Sequence, residues 1–549
     1  MDLVLVGLPG SGKSAVGRRV ASRHGATFID LDDQIERDTG RSIPELFAAE
    51  GEAAFRRLER DAVAALGPPD PSPHVRRVIS PGGGAVVDPR NRWALFRGRL
   101  PVWLDVRTEV LAQRLRRSPN VRPLVQGGDP TGRIRQLAAA RERFYGAAAR
   151  VNGVVEVGGV VEAVETLIAR GVPAGTTLLR TSTKIGDVVV GEGIAPAAVS
   201  DALQRVGARR AILVSEPGAW ATVGSALASS LRELGWSVEE LLLPAGEDAK
   251  RLSVMEDAAR ELARRRVERR EPLVAVGGGA LGDPAGFLAA VYLRGVPWIQ
   301  VPTTLVAQVD SAIGGKTGVD LPEGKNLLGA FHHPAAMVLD VAALRSLPER
   351  QLRAALGEII KMAALGDEAL FATLEADGEA IARGEASAFE GGAIAEVVER
   401  SAWAKVDVVS ADDREHGASG RIALNLGHTI GHALEAADGY ATLLHGEAVA
   451  YGLRAAVRIG AALEVTPAAR ASRLEALLDR LALGAAPLPY PLDTVLAATA
   501  TDKKHAGGRL RWVLPTGDGI VVRDDVPDEV VRAAAGSVLA GTVATRAPA

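Results

Sequence analysis

LVLVGLPGSGKS, residues Leu3 to Ser14, decides how the first third of the chain is read. A short apolar run enters a turn of the form G-x-x-x-x-G-K-[ST], and a helical periodicity follows at once. Glycines there let backbone N–H groups wrap a phosphate, Lys13 adds a point charge at its oxygens, and the hydroxyl of Ser14 can ligate Mg²⁺. Gly10, Ser11, Gly12, Lys13, Ser14 and Ala15 are the residues expected to line a nucleotide's phosphates. Outward from this turn, TFIDLD (Thr27–Asp32), RVIS (Arg77–Ser80) and PVWLDV (Pro101–Val106) read as further buried strands separated by helical segments. Alternation of this kind implies a parallel sheet with helices on both faces.

The 549 residues suggest two to four domains. Apolar content of 47% and charged content of 24% are typical of a soluble globular protein, and a formal charge of −3 gives no reason to expect nucleic acid or an acidic membrane surface as the main partner. There is no cysteine, which excludes disulfides, thiolate nucleophiles and cysteine-bound zinc. MDLVLVGLPG lacks the basic start of a signal peptide, and no run of about 18 uninterrupted apolar residues occurs. A cytoplasmic location is the expectation.

Residues 1–168 form the first expected domain, and the stretch around GVPAGTT makes 169–177 the linker. A second α/β pattern occupies 178–340, with strand candidates Ala211–Glu216, Val238–Pro244, Leu273–Gly279 and Trp298–Pro302. From about residue 345 strand signals stop, so 341–549 is expected to be helical, with a cleft between these two parts.

Within the first domain, Asp30 and Asp32 alternate along one strand end, so both can face the phosphates. One could sit by Mg²⁺ and the other accept a proton from an acceptor hydroxyl. Arg56, the turn at Gly82–Gly84, Arg122 in NVRPL and Arg141 in RERFY add donors for an anionic acceptor. GLPGSGKS, FIDLDDQIE, GRSIPELFAAEGEAAFRRLE, GGGAV and NVRPL resemble shikimate kinases over residues 2 to about 168. The resemblance implies that Asp32, Arg56, Gly83 and Arg141 bind shikimate, that Asp32 is the base, that Asp30 lies near Mg²⁺, and that Arg122 is a lid arginine. RERFY departs from the family's usual R-x-P-L-Y.

The second half carries LNLGHTIGHALE (Leu424–Glu435) and then HGE from His445. His428 and His432 share a helix face, but HTIGH is not H-E-x-x-H, so a peptidase is a poor reading. Two histidines and a carboxylate, with His445 and Glu358 as candidates, would make an open zinc site; paired structural histidines are the alternative for GHTIGH alone. Around them lie Asp310 and Lys316 in DSAIGGKTGVD, Lys325 and Asn326 in EGKNLLGAFH, Lys361, Lys405, Arg421 and the DKK run at Asp502–Lys504, which suit a polyanionic small substrate. GGGALGD (Gly277–Asp283) follows a strand and could hold a pyrophosphate, though it lacks G-x-G-x-x-G.

PAGEDAK, GGGALGDPAGFLAAVYLRGV, VPTTLVAQVDSAIGGKTGVD, GKNLLGAFHHP, GEIIK and LNLGHTIGHALE…HGEAV together resemble 3-dehydroquinate synthases. The resemblance implies Zn²⁺ or Co²⁺ on Glu358, His428 and His445, with His432 a catalytic neighbour of the metal. It implies NAD on Glu247, Lys250, Gly278, Gly279, Asp283, Thr303, Thr304 and Lys325. It further implies substrate contacts from Arg294, Asp310, Lys316, Asn326, Lys361, Lys405, Arg421, Asn425 and Lys504. The substrate implied is a seven-carbon heptulosonate phosphate that loses phosphate and closes to a ring. The family's E-x-G-x-R run reads REHGASGR here, about two residues longer, with Glu415 the counterpart of its acid. Dimerisation through the synthase half is also implied. Another sugar phosphate cyclase or a metal-dependent polyol dehydrogenase is the alternative within the same fold, and the dehydrogenases lack the Lys316 and Lys325 context. A non-catalytic module in one half is the alternative of a different class.

Overall fold

The computed structural model describes residues 1–117, 129–154, 156–412, 420–499, 505–506 and 509–541. They form two compact units, one taking in Met1–Ser182 and Asp187–Ile194, the other Thr183–Gly186 and the chain from Ala195.

The first unit holds β1 (Asp2–Val6), β2 (Thr27–Asp30), β3 (Arg77–Ser80), β4 (Leu100–Asp105) and β5 (Ala149–Asn152), hydrogen-bonded in the order β2-β3-β1-β4-β5. Every pairing is parallel. The central strand is buried along its whole length, which is why LVLV is unbroken rather than alternating. Leu3 and Leu5 pack with Val16, Val20 and Val164 from the helices Lys13–His24 and Val157–Arg170.

One expectation about this unit fails locally. The β2 strand stops at Asp30, and Leu31–Thr39 is already helical. Asp32 therefore sits in a first helical turn, not on a strand beside Asp30. Burial explains the change: Leu31 and Ile35, four apart, both face the core, which is helical spacing.

Two further strands, β6 (Thr176–Thr183) and β7 (Gly186–Glu192), follow the helix Val157–Arg170. The second unit contains β8 (Arg210–Ser215), β9 (Ser237–Leu242), β10 (Leu273–Gly277), β11 (Trp298–Pro302), the antiparallel pair β12 (Lys316–Leu321) and β13 (Gly324–Phe331), and β14 (Ala336–Asp340). Its parallel strands run in the order β14-β11-β10-β8-β9. The chain leaves β8 for β9 on one side and later enters β10 on the other. That reversal of strand order opens a crevice at the carboxyl ends of β8 and β10, the usual ligand position in such sheets.

Beyond β14 the chain is mainly helical, from Glu349–Ala364 to Asp528–Leu539. The expectation of helices alone is corrected by the antiparallel pair Trp512–Pro515 and Ile520–Arg523, whose first strand is fully buried. Among the described residues no helix is long and apolar enough to cross a membrane.

Candidate active sites

The first site is built on the turn between β1 and the helix Lys13–His24. Gly10 and Gly12 adopt left-handed φ of 82° and 96°, which a side chain would strain. Lys13 Nζ donates to Gly7 O at 3.0 Å, folding the ammonium back over the loop. Ser14 Oγ donates to Asp30 Oδ2 at 2.7 Å, so the hydroxyl and the carboxylate expected at Mg²⁺ are adjacent. Ser11 Oγ is buried without a protein partner.

The glycine turn at Gly82–Gly84 gathers the acceptor residues. A side chain at Gly82 would strike Asp32, and one at Gly84 would strike the Arg56 guanidinium. Gly83 O accepts from Arg141 Nη1 at 2.9 Å and from Tyr145 Oη at 2.5 Å. The chain thus brings Asp32, Arg56, Gly83 and Arg141 to one place. The motif reading missed Glu59. It is buried, pairs with Arg56 at 2.8 Å, and has a second oxygen without a partner. Burial, set partly against the pull of Arg56, raises its carboxyl above the ordinary value. The i,i+3 spacing in RRLE was the available signal. Arg122 lies outside the described residues.

In the second unit, Glu358 on helix Glu349–Ala364, His428 opening helix His428–Ala437 and His445 opening helix His445–Ala462 bring one ligand atom each within 4.8 Å of one another. His428 Nε2 and His445 Nε2 stand 3.3 and 3.2 Å from the same oxygen, Glu358 Oε1. Each Nδ1 is engaged on the far side. That of His428 faces Leu426 O at 3.1 Å, and that of His445 faces the Glu435 carboxylate at 3.2 and 3.3 Å. Only an N–H can face such acceptors, so the Nε2 lone pairs are the ones turned inward. Both Glu358 oxygens are shielded from solvent and no donor is aligned on them, although Lys361 and the two imidazoles lie within ion-pair range. Lone pairs and a carboxylate converging this closely fit a divalent cation with an open position. Burial holds the His428 pKa below its usual value, whereas at His445 Glu358 and Glu435 overcome burial and push it up to about 10, a pull that a bound cation would satisfy in place of the proton. His432 is exposed beside them, its ring 5.2 Å from that of His428.

Next to this cluster is a chain of buried charges. Lys361 pairs with Glu358 and lies 3.6 Å from Asp310, whose carboxylate meets Lys405 Nζ at 2.7 Å. Burial works against ionisation of Asp310, but Lys405 and then Lys361 hold its pKa below the usual value. Asp310 sits in a single widened turn, Ala307–Ser311, a local irregularity that often re-aims a functional side chain. Arg421 lies against Gly314, and Asn425 shares the short turn Arg421–Asn425.

The glycine turn Gly277–Gly279 caps the crevice beside β8, with the helix Gly279–Val291 starting at Gly279. Gly278 abuts Thr304, and Thr303 N donates to Gly277 O at 3.0 Å. Buried Lys250 reaches Asp283 at 2.8 Å and Asn326 at 3.3 Å, and Lys325 pairs with Glu247 at 3.4 Å. The expected cofactor residues are therefore contiguous. Lys316 is exposed at the start of β12. Arg294 lies on an exposed turn with φ of 66°. Glu415 and Lys504 lie outside the described residues.

Fold and sites fit a phosphate-loop phosphotransferase followed by an α/β enzyme with a glycine-turn crevice and a candidate metal centre. Residues 9–158 match the shikimate kinase family, residues 240–354 the N-terminal part of 3-dehydroquinate synthase, and residues 355–505 its C-terminal part. The 3-dehydroquinate synthase of Synechococcus sp. (strain CC9605) is 44% identical over 324 residues, covering 59% of this chain and 86% of that protein. That of Rippkaea orientalis is 39% identical over 326 residues, covering 59% and 88%. Among solved structures, 2-epi-5-epi-valiolone synthase from Streptomyces hygroscopicus subsp. jinggangensis 5008, with NAD⁺ and Zn²⁺ bound, is 30% identical with a TM-score of 0.56, covering 64% of this chain and 96% of its own. A 2-deoxy-scyllo-inosose synthase complexed with carbaglucose-6-phosphate, NAD⁺ and Co²⁺ is 26% identical with a TM-score of 0.58, covering 67% and 100%. The chain belongs to the 3-dehydroquinate synthase family and carries a shikimate kinase domain ahead of it.

Proposed function

We propose that the chain houses two separate catalysts for the shikimate pathway. The first unit transfers the γ-phosphoryl group of ATP to the 3-hydroxyl of shikimate. Lys13 and the loop amides would hold the phosphates, and Ser14 and Asp30 would hold Mg²⁺. Arg56 and Arg141 grip the substrate carboxylate, Glu59 fixes Arg56, and Asp32 accepts the hydroxyl proton.

The second unit converts 3-deoxy-D-arabino-heptulosonate 7-phosphate to 3-dehydroquinate and phosphate. Glu358, His428 and His445 would hold Zn²⁺ or Co²⁺, and the Gly277–Gly279 turn with Lys250, Asp283 and Thr304 would hold NAD⁺. Bound there, the metal would supply Lewis acidity and the nicotinamide ring a reversible hydride acceptor. Lys361 and Lys405 flank Asp310 so that the substrate meets fixed cations in a site shielded from water. Lys316, Asn326 and Arg421 take its anionic groups. The observation that carries this reading is the convergence of two imidazole Nε2 atoms on one buried carboxylate, next to a buried Asp–Lys chain. The favoured assembly is a homodimer through this half, since β13 leaves Leu327, Leu328 and Phe331 exposed on one ribbon.

Incubation of the full chain with the heptulosonate phosphate, NAD⁺ and Zn²⁺ tests the synthase. Phosphate release that needs NAD⁺ and stops with 1,10-phenanthroline is expected. Absence of release from folded, metal-loaded protein would point to a different cyclase substrate.

A further inference from the structure

The helix bearing His428, His432 and Glu435 ends at Asp438, and only six residues separate Asp438 from His445. One carboxylate organises that link. Asp438 Oδ2 accepts from the backbone N–H groups of Ala441, Thr442 and Leu443 at 2.9, 2.6 and 2.9 Å. Its Oδ1 accepts from Thr442 Oγ1 at 2.5 Å and from Tyr490 Oη, 52 residues away, at 2.6 Å. Five donors saturate what a carboxylate can accept. These bonds hold the Asp438 carboxyl well below its usual value, led by those from Thr442 and Tyr490.

The far side of the link is tied to the helix that supplies Glu358. Arg350 donates to Thr442 O at 2.6 Å and, through two nitrogens, to Glu447 at 2.7 Å each. Glu447 in turn accepts from Leu444 N at 2.9 Å, just before His445. Within the link, Tyr440 is held at φ of 59°, an uncommon conformation for a residue with a side chain, and its ring lies 4.5 Å from Lys325 Nζ. The same short segment thus places His445 and steers a lysine of the cofactor crevice.

We propose that Asp438 is a positioning residue for the metal centre: its carboxylate fixes the 438–444 link and so sets His445 against His428 and Glu358. This rests on the reading of Glu358, His428 and His445 as metal ligands. Asp438→Asn replaces one acceptor oxygen by an NH₂ that opposes the backbone donors. Residues that orient metal ligands typically change affinity by about 10–100-fold.

The test titrates Co²⁺ into the full-length metal-stripped chain and reads both affinity and the visible d–d spectrum. Asp438→Asn is expected to bind Co²⁺ about 10–100-fold more weakly, with an altered spectrum. A folded Asp438→Asn protein with wild-type affinity and spectrum overturns the proposal. If that variant does not fold, Tyr490→Phe, which deletes one hydrogen bond only, decides: weaker Co²⁺ binding supports the proposal and unchanged binding overturns it. His445→Ala runs in parallel. If His445→Ala keeps full Co²⁺ affinity, the metal reading itself falls, whereas an effect of His445→Ala without one of Asp438→Asn rejects only the positioning role.

Discussion

Lys405 places its ammonium 2.7 Å from both the carboxylate and the main-chain carbonyl of Asp310. One cation thereby fixes the side chain and the backbone of the turn that carries it. Lys405→Met would leave Asp310 with Lys361 alone, at 3.6 Å. Removing one partner of a buried pair costs up to about 3–5 kcal/mol, because the other charge stays buried. The expected result is a lower urea midpoint for the second unit and loss of synthase activity, with kinase activity kept. Urea unfolding followed by both activities on one sample measures this.

The two sites are expected to fail independently. Lys13→Ala removes the only side-chain cation of the loop motif, Gly7–Ser14. Loss of one preorganised charge contact of this type lowers rate by roughly 10²–10³. Shikimate phosphorylation should fall by at least that much while NAD⁺-dependent phosphate release is unchanged. A matching fall in synthase rate would show that the two units are not separate catalysts.

Much of this was legible before the structure. The unbroken run Leu3–Val6 and the loop after it fix a buried parallel strand, because a strand covered on both faces has no polar side to alternate with. The metal residues were legible as residue types, since Glu358 and His428 and His445 each sit in a short motif. Their mutual approach was not, because nothing local places residues about 70 apart within ligand distance. Asp32 was misplaced because TFIDLD alternates well enough to pass for a strand, and tertiary burial of Leu31 and Ile35 decides for helix. Glu59 escaped notice because an i,i+3 Arg–Glu pair in a helix reads as an ordinary surface pair until its burial is seen, and Asp438 because its partners are a distant tyrosine and backbone N–H groups that no motif displays.

Asp2 gives the first unit a defined acid response. It is fully buried and paired with Arg77 at 2.6 Å and Arg99 at 3.0 Å. Burial raises its carboxyl pKa, but Arg77 and Arg99 outweigh that and leave it below the ordinary 3.8. The unfolded chain therefore binds this proton at a higher pH than the folded one. The stabilisation is fully present above about pH 4 and is lost as pH falls through the depressed folded value. Asp2→Asn should weaken the first unit at pH 7 and flatten this part of its acid unfolding. Melting of the kinase unit across pH 2–7 for both proteins checks the slope. An Asp2→Asn protein with unchanged stability at pH 7 and the wild-type slope would remove Asp2 from the account.

The candidate metal centre also depends on two helices touching backbone to backbone. A β-carbon at Gly446 would collide with Ala354 O, and one at Gly357 would collide with Gly446 O. Helices Glu349–Ala364 and His445–Ala462 therefore cross at the residues next to Glu358 and His445, and that closeness puts the carboxylate 3.2 Å from the imidazole. Gly446→Ala cannot be absorbed by a flexible side chain, since the obstacle is main chain. Overpacking of this kind destabilises by about 1–3 kcal/mol. The larger effect should be on the metal, because separating the helices moves one ligand away from another. Gly446→Ala is expected to retain a cooperative melt and kinase activity, yet to lose zinc on dialysis that the wild-type chain withstands. Zinc content after dialysis, measured beside thermal unfolding, separates the two. A variant that melts early but keeps its full zinc would mean that the crossing serves stability alone.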